Sequence, residues 1–497
     1  MTQGNDAATA HAWAAIGGRD GLAESVTYEG AGPVLAARLP VRELARATVG
    51  ACSLAASELL ALRRGVPLPA VRVREGAVAT AFVSERHLRI DGRVPTAFAP
   101  LSGFWRTADG WVRTHANYPH HRARLLGALE LRDAGDAPAT ARRLAAELAT
   151  REAHEVQETV YAAGGLAVAV APAPRSVGDS PDSSDASDAP NSPDTPGSPG
   201  APGAGTPPLV ELLPGGASGP AGTLEPAALP AEGIRVLDLT RVISGPVATR
   251  TLALLGADVL RVDSPRLPEQ ADAHTDTGPG KRSALLDLSA PADREVFEEL
   301  LATADVVVSG YRPGALDPYG LAPEALFARR PGLIVAQLCA WGWSGPWSTR
   351  RGFDSLVQAA SGIAAYEAKD GEGEDGEGED DGTEGGGVPG ALPAQALDHG
   401  TGYLIAGGIL RALTERQHTG EGRLLRYSLA GTASWLLHGV RPAPVEGGPY
   451  EPAPWLTETP SAYGPLRHAL SPVHYEGAPV TWRHPPTRWG TDLPKWA

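Results

Sequence analysis

Apolar residues change their spacing along the chain, and the changes divide it. From Val41 to Leu62 (VRELARATVGACSLAASELLAL) they recur with helical period. Residues 71–83 (VRVREGAVATAFV) and 87–92 (HLRIDG) alternate as strands do. In 103–131 (GFWRTADGWVRTHANYPHHRARLLGALEL) an Asp-Gly pair between aromatic runs predicts a hairpin, and helical spacing resumes from Tyr118 to Leu131. Residues 139–165 (ATARRLAAELATREAHEVQETVYAAGG) predict more helix, stopped by glycines. The apolar pattern then vanishes and returns as buried-type strands: GIRVLDL (233–239), ADVLRVD (257–263), ADVVVSG (304–310) and GLIVAQLCAWG (332–342). Helical stretches such as PADREVFEELLATA and APEALFARR separate them. Strands alternating with helices predict an α/β fold, a Rossmann-like parallel sheet with crossover helices, joined to a smaller α+β domain.

Composition refines the boundaries. The stretch from about 174 to 224 repeats Ser, Pro, Asp, Gly and Ala without apolar period, so it buries too little to offset its ordering entropy. A Glu/Asp/Gly run interrupts the α/β half at about 367–384. These two tracts supply most of the net charge of -15. The expected organisation is a folded unit at 1–173, a disordered linker at 174–230, a Rossmann-like large domain at 231–440 with an acidic insertion at 367–390, and a C-terminal strap at 441–497. The acidic balance argues against nucleic-acid and membrane-surface partners. No basic stretch followed by an apolar core opens the chain, and no uninterrupted apolar run nears the ~20 residues that span a bilayer. Only Cys52 and Cys339 are present, which makes neither a metal set nor a disulfide framework; a cytoplasmic location is expected.

Chemistry can sit at few places. The loop TRVISGP (240–246) joins a strand to a helix, where a phosphate or carboxylate can lie against the helix N-terminus; Gly245-Pro246 can equally just start the helix. The glycine fingerprint of dinucleotide folds is absent, as are a Walker loop and a GxSxG elbow. Lys281, Arg282 and Arg312 could meet phosphate or simply be solvated. His120 and His121, with no ligand-spaced neighbour, read as structural. Asp398 stands just before HGTGYLIAGGILRALTERQ, where it can cap the helix or be held ionised as a nucleophile.

Taken in order, five segments carry a resemblance: GIRVLDLTRVISGPVATRTLALLGADVLRVD, GKRSALLDL, ADVVVSGYRPGALDPYGL, WGWSGPWSTRRGFDSLVQAASG and ALDHGTGYLIAGGILRALTERQHTGEGRLLRYSL. Residues 233 to about 430 resemble the family III CoA-transferases, the group of formyl-CoA and carnitine CoA-transferases. The resemblance implies Asp398 as catalytic carboxylate and coenzyme A contacts at Ile243, Ser244, Leu286, Gly310, Tyr311, Arg351 and Phe353, several through backbone. It implies acyl-CoA and small carboxylic acids as substrates, an aspartyl-CoA intermediate, and no metal or permanently bound cofactor. Acyl-CoA racemases of the same family carry a His where Phe353 stands, so a racemase or isomerase is the alternative, with a catalytically weak CoA-binding protein a second. Gly310, Tyr311, Ser264, Ser289 and Ile243 depart from the family's usual residues. Material resembling the family's smaller domain lies at 103–131, ahead of the large domain instead of after it. That order suggests a tandem fusion of two partial copies, forming a pseudo-dimer within the chain or a homodimer.

Overall fold

The computed structural model describes residues 6–95, 98–174, 207–216, 224–369 and 387–497. Its centre is a seven-stranded sheet. The strands are β1 (Val210–Pro214), β2 (Arg235–Leu239), β3 (Asp258–Asp263), β4 (Lys281–Leu285), β5 (Val306–Ser309), β6 (Ile334–Cys339) and β7 (Arg423–Ser428). Their spatial order is β4-β3-β2-β5-β6-β7-β1, parallel throughout except that β1 runs antiparallel to β7. The Val/Leu/Ile-rich strands follow from burial on both faces, and the fold is α/β as the alternation predicts. The order reverses between β2 and β5. At such a switch point the loops leaving the carboxyl ends diverge and open a crevice for ligand.

β1 corrects the linker expectation. Residues 174–230 read as disordered, yet Val210–Pro214 pairs with Tyr427 through Arg423 and completes the sheet edge. Leu224 donates its N–H to Gln417, and Arg63 donates to the carbonyls of Glu225, Pro230 and Glu232. A short apolar run (LVELL) was hidden by the Pro/Gly/Ser around it; pairing on an open edge stabilises it where local composition does not. The rest of the linker, 175–206 and 217–223, lies outside the described residues, as does 370–386 of the acidic insertion. The ends of that insertion meet, Lys369 donating its N–H to the Val388 carbonyl at 3.1 Å.

The helices that build the site are α1 (Val41–Arg64), α2 (Pro119–Ala128), α3 (Ser244–Leu254), α4 (Asp354–Ala360) and α5 (Ala396–Thr419). α1 and α5 have 24 residues each, and each ends on a left-handed glycine, Gly65 and Gly420. They lie side by side, with Gly400 against Leu44 and Gly407 against the Cys52 backbone. α1 is long and apolar enough to cross a membrane by composition, but it is buried in the core. A helix enclosed on nearly every side has no polar face to keep. One hydrophobic cluster runs from Ala8 through α1 and α5 to Tyr475, so the N-terminal segment and the α/β half share a core.

One other strand expectation shifts. Of residues 71–83 only Val71–Arg74 is strand, paired parallel to Val26–Glu29; Glu75–Phe82 is helix. The Asp-Gly hairpin forms as expected, Phe104 opposite Arg113, and a third strand, Ala167–Ala169, adds to it. The C-terminal segment is not only a strap. Leu456–Ser461 and Gly464–Ala469 form a hairpin that pairs with Arg89–Ile90, and the chain then returns to the edge strand β4, where Asp492 donates to the Ser283 carbonyl.

Candidate active site

The loop after β2 leads into α3 through strained backbone. Val242 holds φ 72, a left-handed conformation that a β-branched residue adopts only under constraint. Its N–H donates to Glu269, whose carboxylate also accepts the Tyr118 hydroxyl at 2.8 Å and pairs with Arg241 and Arg261. Tyr118 immediately precedes α2, so the N-terminal segment helps hold this loop. Ile243, half-buried, is the N-cap of α3, and Ser244 is its first residue. Gly245 is required by packing, since a Cβ there would lie 2.4 Å from Thr240.

Asp398 does not cap its helix. It is the third residue of α5, and Gln395 occupies the cap position. The unpaired amides of that first turn are satisfied by Asp354, the first residue of α4, which accepts the N–H of Asp398 at 2.9 Å and that of Leu397. Capping by a residue from another helix leaves the Asp398 carboxylate free. That carboxylate accepts the backbone N–H of Ser244, so it sits on the N-terminus of α3. The close approach depends on Gly402, where a Cβ would lie 2.6 Å from the Ser244 carbonyl oxygen.

The two carboxylates are fully buried neighbours. Burial, and then the charge of Asp354, push Asp398 well above the usual carboxylate range, while the Ser244 N–H pulls it back. Burial pushes Asp354 up to about 6 against the Asp398 and Leu397 amides, the Gln358 side chain and the Arg113 charge. Both cannot ionise freely, so the pair titrates as a unit. Sequence pattern assigns Asp354 no role, because its partner lies 44 residues away in sequence and only folding brings the two together.

Ile243 and Ser244 leave the carboxyl end of β2, and Gly310 and Tyr311 leave that of β5, the two sides of the switch point. Gly310 faces Thr240 across the crevice. Arg351 and Phe353 follow β6 and lead directly into Asp354. Leu286 stands apart: it follows the edge strand, and its side chain is packed in the second hydrophobic cluster, leaving only backbone for a ligand. Phe353 stacks on His115 with ring centroids 3.8 Å apart. His115 and Arg113 come from the hairpin strand Trp111–Thr114 and the residue after it, and the sequence assigned neither a role. Among the described residues no cluster of His, Cys, Asp and Glu could hold a metal.

Known proteins resemble part of the chain. Residues 231–452 match the model for CoA-transferase family III. A probable fatty acyl-CoA transferase of Mycobacterium tuberculosis is 31% identical over 247 residues, 46% of this chain and 58% of that protein. An acetyl-coenzyme A transferase of Hypoxylon pulicicidum is 40% identical over 139 residues, 27% of this chain and 23% of that protein. A formyl-CoA:oxalate CoA-transferase of Bradyrhizobium sp. is 34% identical over 205 residues, 39% and 44% of the two chains. The matched part of the chain thus spans from under a quarter to somewhat over half the length of these relatives. The region from 231 to 452, which carries the switch-point loops, Asp354 and Asp398, is the part of the chain that matches CoA-transferase family III.

Proposed function

We propose that the protein is an acyl-CoA:carboxylate CoA-transferase in which Asp398 forms an aspartyl-CoA thioester. The observation that carries this reading is the free, buried Asp398 carboxylate on the N-terminus of α3, with its own helix capped by Asp354. The ionised carboxylate attacks the donor thioester carbonyl, expelling CoA thiolate and leaving a mixed anhydride. The thiolate attacks the aspartyl carbonyl of that anhydride; the aspartyl-CoA thioester forms and the donor acid leaves. An acceptor carboxylate then attacks the aspartyl thioester, and the released thiolate takes the acceptor's acyl group, regenerating Asp398. No water or outside nucleophile enters the balance. The Ser244 amide, already aimed at the Asp398 carboxylate, is placed to stabilise oxyanions on the aspartyl carbon. The shared proton of the carboxylate pair must leave before attack, so turnover rises with pH through the pair's titration.

The racemase alternative needs a base near Phe353, and His115 is the imidazole stacked on that ring. Its tautomer follows from a chain of hydrogen bonds. Asn117 Oδ1 accepts from the Ala99 amide and the Ser102 hydroxyl, which turns the Asn117 amide nitrogen toward His115 Nε2 at 3.4 Å. Nε2 therefore accepts, and the proton sits on Nδ1. A proton on Nδ1 and a donor at Nε2 set His115 poorly for taking a substrate proton, but the buried His121, edge-on to the same ring, has no partner on Nδ1, so solvent-deuterium entry decides between transfer and racemisation.

The test is intact-protein mass spectrometry after incubation with a panel of acyl-CoAs and hydroxylamine, on wild type and Asp398→Ala. A hydroxylamine-sensitive adduct on wild type, absent from the variant, is the expected result. CoA binding without an adduct from any donor, or solvent deuterium entering the α-carbon, would refute the transferase reading.

A further inference from the structure

The loop between β2 and α3 is pinned at both ends by the sheet beneath it. Asp238 accepts the Thr240 N–H at 2.9 Å, and the buried Lys281 of β4 donates to the Pro246 carbonyl at 3.0 Å. Between those anchors the backbone passes through Val242, whose φ of 72 presses a β-branched side chain against a neighbouring carbonyl. Left to itself such a residue returns to negative φ. That rotation would carry Ile243 and Ser244 with it and turn the Ser244 N–H away from the Asp398 carboxylate. The strain is thus tied to the contact on which the proposed reaction depends, and the group that maintains it has a functional part.

That group is Glu269. Its Oε2 accepts the Val242 N–H at 3.2 Å and a hydrogen bond from Arg261 at 2.9 Å, with Arg241 at 3.5 Å. Its Oε1 accepts the Tyr118 hydroxyl at 2.8 Å and the Gln270 N–H at 3.0 Å. Arg261 is fixed in turn by Asp263 at 2.7 Å. Arg261 and Gln270 belong to the α/β half, but Tyr118 is the N-cap of α2 in the N-terminal segment. The Arg241 guanidinium lies over the Tyr118 ring, 5.2 Å from its centroid, and closes the cluster from the loop side. Glu269 is 9% exposed, so water is poorly placed to replace a donor it loses.

We propose that Tyr118, acting through Glu269, is a positioning residue for Asp398: it keeps Val242 left-handed and so aims the Ser244 amide, and the N-terminal segment thereby completes the active site of the α/β half. This inference rests on the CoA-transferase reading and adds a residue to it.

The test uses Tyr118→Phe in the full chain, which keeps the ring beside Arg241 and removes only the hydroxyl, with circular dichroism as the check on folding. Two quantities are read: hydrogen exchange of the peptide 240–247 by mass spectrometry, and turnover at saturating substrate in isotope exchange between free acid and acyl-CoA. Tyr118→Phe should speed hydrogen exchange of 240–247 and lower turnover about tenfold, the scale of one hydrogen bond to a charged group. Glycine enters the left-handed region without steric cost, so in a Val242→Gly background the same substitution should change turnover less than about twofold. A merely structural hydroxyl would cost as much in the glycine background as in wild type, and that result overturns the proposal. Unchanged turnover in Tyr118→Phe, or lowered turnover with unchanged hydrogen exchange of 240–247, overturns it as well. If wild type shows no isotope exchange with any acyl-CoA, the transferase reading fails, and hydrogen exchange alone decides the role of Tyr118. Faster exchange of 240–247 in Tyr118→Phe that is absent in the Val242→Gly background then upholds it, and any other pattern overturns it.

Discussion

Gly402→Ala tests whether the approach of α5 to α3 serves catalysis. The new Cβ would lie 2.6 Å from the Ser244 carbonyl oxygen and 3.0 Å from the Val247 Cβ. A carbon–oxygen contact relaxes to about 3.3 Å, so the helices must separate by roughly 0.7 Å at this point. Overpacking of this kind costs about 1–3 kcal/mol, and replacing Gly with Ala inside a helix returns up to about 1 kcal/mol. A net loss of about 1–2 kcal/mol is expected in urea unfolding. The larger effect should fall on chemistry, because the Ser244 amide moves with its carbonyl away from Asp398. Losing a charge-assisted hydrogen bond worth about 1.5–3 kcal/mol lowers turnover roughly 10- to 100-fold. The assay is isotope exchange between free acid and acyl-CoA, alongside CoA binding. Gly400→Ala is the control: its Cβ meets the flexible Leu44 side chain at 2.8 Å and leaves Ser244 untouched. If both variants lose similar stability and both exchange at the wild-type rate, the Ser244–Asp398 contact has no catalytic role and the reasoning fails.

Asp398→Asn should raise the melting temperature at neutral pH. The carboxyl is raised in the folded state, so folding stability falls as pH rises from the unfolded value of about 3.9 toward the folded one. Asn removes that penalty; the gain should be present at pH 7 and fade toward pH 4, and a variant less stable at pH 7 would count against it. Arg411→Ala should destabilise the protein by about 3–5 kcal/mol in urea, nearer the lower figure because Arg19 still reaches Glu58 at 2.7 Å. Arg411 also donates to the Gly17 carbonyl and lies over the Trp13 ring, so a loss under about 1 kcal/mol would mean that the N-terminal helices do not depend on α5 as described.

Much of the α/β half was legible in local pattern. β2, β3, β5 and β6 are short apolar runs bounded by turn residues, and such runs have few other folded options. The Asp-Gly hairpin was legible because a two-residue turn constrains both flanking strands. β1 was not, since an edge strand is selected by the partner it meets. Residues 75–82 misled as alternating strand, because Ala and Val suit either period and burial against α1 made the choice.

The sequence by itself determined the alternation that builds a parallel sheet, the order of motifs along it, and Asp398 as a carboxylate at the start of a long helix. Those are properties of neighbours in the chain. Tertiary structure alone decided that Asp354 caps that helix, that Ser244 meets the freed carboxylate, and that His115, Tyr118 and His121 of the N-terminal segment stand beside the site. Each of these joins groups far apart in sequence. Hydrogen bonding, burial and charge act through space at distances of a few ångströms, and no spacing along the chain encodes them.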